Sequence, residues 1–154
     1  MEQSTSPGST TIEGRCLCGA VRFRLSPPTD FVAHCHCSSC RLSHGAAFVT
    51  WTSVPAERFA FETGEATVGW YRSSKWVAWG FCRTCGSSML YRALEAGHHE
   101  SPKLDRIYVT AGSLVSPLDR APAAHVSYEE HLPWVRVPDG LPKHRGKTDE
   151  TLPE

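Results

Sequence analysis

Between Val21 and Leu25 the chain alternates apolar and charged residues, Val-Arg-Phe-Arg-Leu, the period-two pattern of a strand with one face buried and the other in water. Six further short runs read as strands: 46–51, 58–61, 66–71, 76–81, 88–92 and 107–111. Gly, Pro and Ser punctuate the gaps, as at Val54-Pro55, and such spacing predicts small antiparallel sheets. No segment sustains a helical period; only 38–44 is expected to form a helical turn. Trp76 and Trp79 lie an odd number of positions apart on one predicted strand, so they should face opposite sides, one in the core and the other free to wall a pocket. The expected organisation is a mostly β domain at 12–142 between mobile polar tails at 1–11 and 143–154.

Composition narrows the function classes. At 154 residues and 40% hydrophobic, the chain has single-domain size and enough apolar material for a core. Sixteen basic and sixteen acidic residues cancel, and no basic stripe of the kind a nucleic-acid binder carries is visible. The one basic cluster, Lys143-His144-Arg145-Gly146-Lys147, reads as a solvated tail, so nucleic acid is not an expected partner. Residues 1–11 are polar and Ser/Thr-rich, without an apolar stretch suited to a signal peptide or membrane span. The expectation is a cytoplasmic, reducing location with no membrane attachment.

In that setting the seven cysteines change the picture. They form three groups: Cys16 and Cys18; Cys35, Cys37 and Cys40; Cys82 and Cys85. An odd number cannot pair off completely as disulfides, and clustered thiols in a reducing compartment bind metal. Tetrahedral zinc, with Zn–S bonds of about 2.3 Å, needs sulfurs within about 4 Å of one another. In a strand, residues i and i+2 share a face, so the two C-x-C pairs can each pinch an ion; Cys82-Arg-Thr-Cys85-Gly86 resembles a zinc knuckle. Cys82 and Cys85 could join any two of the other five, but taking two from the triplet would strand a single thiol. Parsimony therefore pairs them with Cys16 and Cys18. The triplet then supplies three ligands and leaves one tetrahedral position open, as a catalytic zinc requires. Two Zn²⁺ and seven thiolates would move the net charge to about −3. Near the triplet, His36 should point away from the sulfurs by alternation, supporting the ligands from behind or facing solvent rather than acting in catalysis, and the same role is expected of His34. Arg41 and His44 are candidates to meet an anionic substrate or shuttle a proton, with surface solvation as the plainer reading. His98-His99-Glu100 reads as an exposed loop rather than a metal cluster.

The motifs Gly14-Arg15-Cys16-Leu17-Cys18-Gly19, His34-Cys35-His36-Cys37-Ser38-Ser39-Cys40-Arg41, Gly64-Glu65, Tyr71-Arg72-Ser73 and Phe81-Cys82-Arg83-Thr84-Cys85-Gly86, in that order, are similar to those of the glutathione-dependent formaldehyde-activating enzyme family, also called the centromere protein V/GFA domain. Pro133-Trp134 and Asp139-Gly140-Leu141-Pro142 resemble its C-terminal end. The resemblance implies a β-tent of small sheets around a structural zinc on Cys16, Cys18, Cys82 and Cys85, and a catalytic zinc on Cys35, Cys37 and Cys40. It also implies a carbon–sulfur lyase that reversibly forms S-hydroxymethylglutathione from glutathione and formaldehyde. Three thiolates make zinc a weak Lewis acid, so a soft thiol is a natural fourth ligand. The alternatives are another small carbonyl or imine substrate on the same scaffold, or a non-enzymatic zinc module. Sheet edges offer a route to a homodimer.

Overall fold

The computed structural model describes residues 11–95, 102–148 and 150–152. His98-His99-Glu100 and nearly all of the expected N-terminal tail lie outside the described residues. Among the described residues, β1 (Ile12–Arg15), β2 (Arg22–Leu25) and β5 (Phe59–Thr63) form a three-stranded antiparallel sheet in the order β1-β2-β5. A second sheet has seven strands: β3 (Val32–Cys35), β4 (Val49–Pro55), β6 (Val68–Arg72), β7 (Val77–Cys82), β8 (Ser88–Ala93), β9 (Arg106–Thr110) and β10 (His125–Val126). Its order is β10-β3-β4-β9-β8-β7-β6. All its neighbours are antiparallel except β10 and β3, a parallel pair that the expectation of purely antiparallel sheets did not include. No described helix is long and apolar enough to cross a membrane.

The alternation at β2 works as expected, with Phe23 and Leu25 buried and Arg22 and Arg24 exposed. The same parity gives the seven-stranded sheet two apolar faces. Val54, Leu90, Ile107 and Val109 join Ile12, Phe23 and Leu25 in a core between the two sheets. Their neighbours in sequence, including Tyr91 and Tyr108, turn to the other face and pack with Trp51 and Trp79 in a second, aromatic core. Cys16 and Cys82 belong to the first core, Cys35 and Cys40 to the second.

Trp79 is the buried one of the expected tryptophan pair, its indole N–H donating to Ser73 Oγ at 2.9 Å. Trp76 precedes β7, half-buried, with Lys75 Nζ 4.2 Å from its ring centroid. β4 starts and ends later than its expected 46–51 run because two polar residues occupy its buried centre. Thr52 donates to the Phe31 carbonyl at 2.6 Å and Ser53 to Asp30 Oδ2 at 2.7 Å, so both hydroxyls are satisfied inside the fold. β1 and β3 were anticipated only as the strand ends from which the two C-x-C pairs reach an ion, and β10 not at all. The last of these is recruited by its neighbour rather than by its own pattern. The segment after Pro142, placed by sequence in a tail, bonds back to the fold: His144 N–H donates to the His125 carbonyl, and the Gly146 carbonyl accepts from Ser127 N–H.

Gly64 turns the chain between β5 and β6 with φ +76°, and a Cβ there would run into the Ala20 carbonyl. Both effects oppose an L side chain, and the obstacle is main chain that cannot swing aside. Gly64→Ala should therefore lower stability by about 2 kcal/mol or more, read as a reduced urea midpoint of the metal-loaded protein.

Candidate metal centres

Four sulfurs converge at the seam of the two sheets. Cys16 follows β1 directly, Cys18 sits in the turn beyond it, Cys82 ends β7, and Cys85 lies in the next turn. Their Sγ atoms all lie within 4.8 Å of one another, with Cys16–Cys18 at 3.5 Å and Cys18–Cys82 at 3.9 Å. These separations fit a tetrahedron of thiolates around one ion with bonds of about 2.3 Å. The knuckle expected from sequence is present: Gly86 takes φ +79°, and its N–H donates to the Cys82 carbonyl at 2.8 Å. Ser87 ties the two halves together, its hydroxyl accepting from Leu17 N–H at 2.9 Å and lying 3.2 Å from Cys85 Sγ. That hydroxyl is the main cause that draws the Cys85 thiol down to about 5. For Cys16, burial opposes ionisation, but the Val21 N–H aimed at its sulfur and the neighbouring thiols leave it lowered. The partner of Cys82 and Cys85, left to parsimony in the sequence, is the Cys16/Cys18 pair.

The remaining three cysteines form a second cluster. Cys35 ends β3, Cys37 caps the helix α1 (Ser38–His44) by accepting from Cys40 N–H, and Cys40 lies in its first turn. The three Sγ atoms also lie within 4.8 Å of one another. Among the described residues no fourth Cys, His, Asp or Glu joins them. Side-chain hydrogen bonds from Cys35 and Cys40 push the Cys37 thiol down to about 2, while the same pairing pushes Cys40 up. Such a donor set, soft and close-spaced, fits a thiophilic metal ion.

The surroundings came only partly from sequence. His36 does point away from the sulfurs, but it is fully buried, with Nε2 2.8 Å from His125 Nδ1. Burial, then His125, pushes it down to about 4, so it is neutral. His34 is half-buried, with Nδ1 2.7 Å from Thr50 Oγ1. Arg41 bonds through Nε to the His36 carbonyl at 3.2 Å, holding the metal loop itself. His44 folds back to the Cys40 carbonyl at 3.0 Å and stands edge-on to Trp51 and Trp79. Tyr91, which sequence reasoning missed, packs in the same core as Cys35 and Cys40; burial and then Cys40 and Cys37 push its phenol up. A groove of about 780 Å³ is lined by Arg15, Cys16 and Cys85 along one part and by Ser43, His44 and Thr50 along another. The sulfurs of the three-cysteine cluster do not line it.

Comparison with known proteins agrees with this architecture. A crystal structure of a Rhodobacter sphaeroides protein superposes with a TM-score of 0.54, covering 70% of this chain and 92% of that one at 23% identity, a likeness of fold. A Schizosaccharomyces pombe protein described as an uncharacterized lyase is 28% identical over 79 residues. That match spans 51% of this chain and 56% of the yeast protein, about half of each. The profile of the family described as glutathione-dependent formaldehyde-activating enzyme matches residues 11–130, most of the chain and every cysteine in it. With the fold, both cysteine clusters and that match in agreement, the chain belongs to the glutathione-dependent formaldehyde-activating enzyme family.

Proposed function

We propose that the protein is a zinc-dependent carbon–sulfur lyase that reversibly joins glutathione and formaldehyde into S-hydroxymethylglutathione. The observation that carries this reading is the three-cysteine cluster, three gathered sulfurs without a fourth ligand among the described residues. In the forward direction the thiol sulfur bonds to the aldehyde carbon, the C=O π bond opens, and the thiol proton ends on the resulting hydroxyl. Zinc on Cys35, Cys37 and Cys40 would supply a thiophilic position at which a thiol ionises more easily.

The chain's own residues would contribute positioning and exclusion of water. Trp51 and Trp79, each less than a tenth exposed, pack with Cys35 and Cys40 and shield one side of the cluster. A groove of about 780 Å³, which Ser43 and His44 from the α1 helix help to line, has the volume to take a tripeptide. Arg15 offers a cation at its edge for a carboxylate, although its guanidinium already donates to the Cys16 and Leu17 carbonyls.

We assign the four-cysteine cluster a structural zinc. Such a site can contribute on the order of 10–16 kcal/mol in small zinc domains, as much as the whole net stability of a typical fold. Cys82→Ser should then yield insoluble protein or one without a cooperative melt, whereas Cys37→Ser should stay folded with one zinc fewer. Equal loss of cooperative melting in both variants would contradict the division.

For the activity, the exchange rate between free formaldehyde and the glutathione adduct can be followed by NMR. Zinc-loaded protein should accelerate it and Cys37→Ser should not. No acceleration by protein carrying two zincs per chain would reject glutathione as substrate and turn attention to other small carbonyl or imine compounds. A single tightly held zinc would favour a binding module.

A further inference from the structure

His125 and Asp139 extend a hydrogen-bonded line from His36 that the lyase reading leaves unused. β10 runs parallel to β3 in a register that sets His125 opposite His34 and Val126 opposite Cys35. From there His125 Nδ1 lies 2.8 Å from His36 Nε2, and His125 Nε2 lies 3.0 Å from Asp139 Oδ2 and 3.2 Å from Oδ1. Both imidazoles are 0% exposed. Asp139 Oδ1 also accepts from Leu141 N–H at 3.0 Å. A carboxylate only accepts, so His125 Nε2–H donates to Asp139, which fixes the ring with its Nδ1 facing His36 Nε2. Rotating either ring would break that line.

The same C-terminal stretch grips the metal loop at two more points. His36 N–H donates to the Val126 carbonyl at 3.0 Å, and Ser38 N–H donates to Glu130 Oε2 at 2.8 Å. His36 and Ser38 are the residues on either side of Cys37. The loop's central ligand is thus clamped on both flanks by Val126 and Glu130, and Asp139, outside the stretch matched by the family profile, fixes the ring that completes the clamp.

We propose that Asp139 is a positioning residue of the three-cysteine centre, acting through His125 and His36 to keep the Cys35–Cys40 loop in the arrangement that gathers its sulfurs. This rests on the reading that the cluster holds a metal ion, and it is independent of the substrate. Groups hydrogen-bonded directly to metal ligands are worth about tenfold to a hundredfold in metal affinity, and Asp139, two hydrogen bonds from His36, is expected at the low end of that range.

The test compares the full-length parent, Asp139→Asn and Glu129→Gln, each loaded with zinc or Co²⁺ and titrated with a chelator. Glu129 bonds to Gly146 N–H in the same C-terminal stretch and is not hydrogen-bonded to the His36–His125–Asp139 line. The parent should hold two ions. Asp139→Asn should keep the tighter one and release the other at least tenfold more readily, with an altered cobalt thiolate absorption, while Glu129→Gln behaves as the parent. Equal retention by Asp139→Asn and parent overturns the proposal, as does equal loss in Glu129→Gln. A parent that binds a single ion removes the open-centre reading and this inference with it, whereas two ions without lyase activity leave the inference standing. Should Asp139→Asn not fold, ring ¹⁵N spectra of the parent decide: removing the weaker ion should shift the His36 and His125 resonances, and unchanged resonances overturn the proposal.

Discussion

Two pairs of sulfurs, Cys16/Cys18 and Cys82/Cys85, meet although Cys18 and Cys82 are 64 positions apart, and the rest of the structure is arranged around that meeting. Closing a chain segment of that length costs on the order of a few kcal/mol of entropy. A four-thiolate metal site contributes on the order of 10 kcal/mol or more. A metal ion held there would outweigh that cost and pin the end of β1 on the small sheet to the end of β7 on the large one. Without that pin the two sheets would be joined by the apolar core between them and by a few hydrogen bonds, such as Leu17 N–H to Ser87 Oγ and Val115 N–H to the Glu13 carbonyl.

The seven-stranded sheet then divides the work by parity. Even and odd positions on β8 and β9 send Leu90 and Val109 to the core under the small sheet, and Tyr91 and Tyr108 to the aromatic core beside Cys35 and Cys40. One set of strands therefore serves a fastening site on one face and a three-cysteine site on the other. A rigid sheet between them lets the second cluster sit on a short loop and a seven-residue helix, elements too small to hold three sulfurs together by their own propensity. The support comes from outside: Trp51 and Trp79 beneath, and Val126 and Glu130 along the flank.

Local chemistry was legible in the chain. The spacing of the cysteines, the glycine after Cys85, the alternation in β2 and the turn over α1 each depend on residues a few positions apart, and each appears where the sequence puts it. β3 escaped because Val32-Ala-His-Cys35 has no alternation, three of its four residues being buried. β4 was displaced because Thr52 and Ser53 read as polar and are buried against specific acceptors.

What the sequence by itself determined is the inventory of donors and their local spacing: three cysteine groups suited to metal, strands of a given parity, and the family to which they belong. Only the tertiary structure decided which groups meet. The choice of Cys16/Cys18 as partners for Cys82/Cys85, the parallel pairing of β10 with β3, and the line from Asp139 through His125 to His36 all join residues far apart in the chain. The physical reason is range: spacing and period act over a turn or a strand, whereas these contacts depend on which sheet edges come together, and that is set by burying two apolar faces at once.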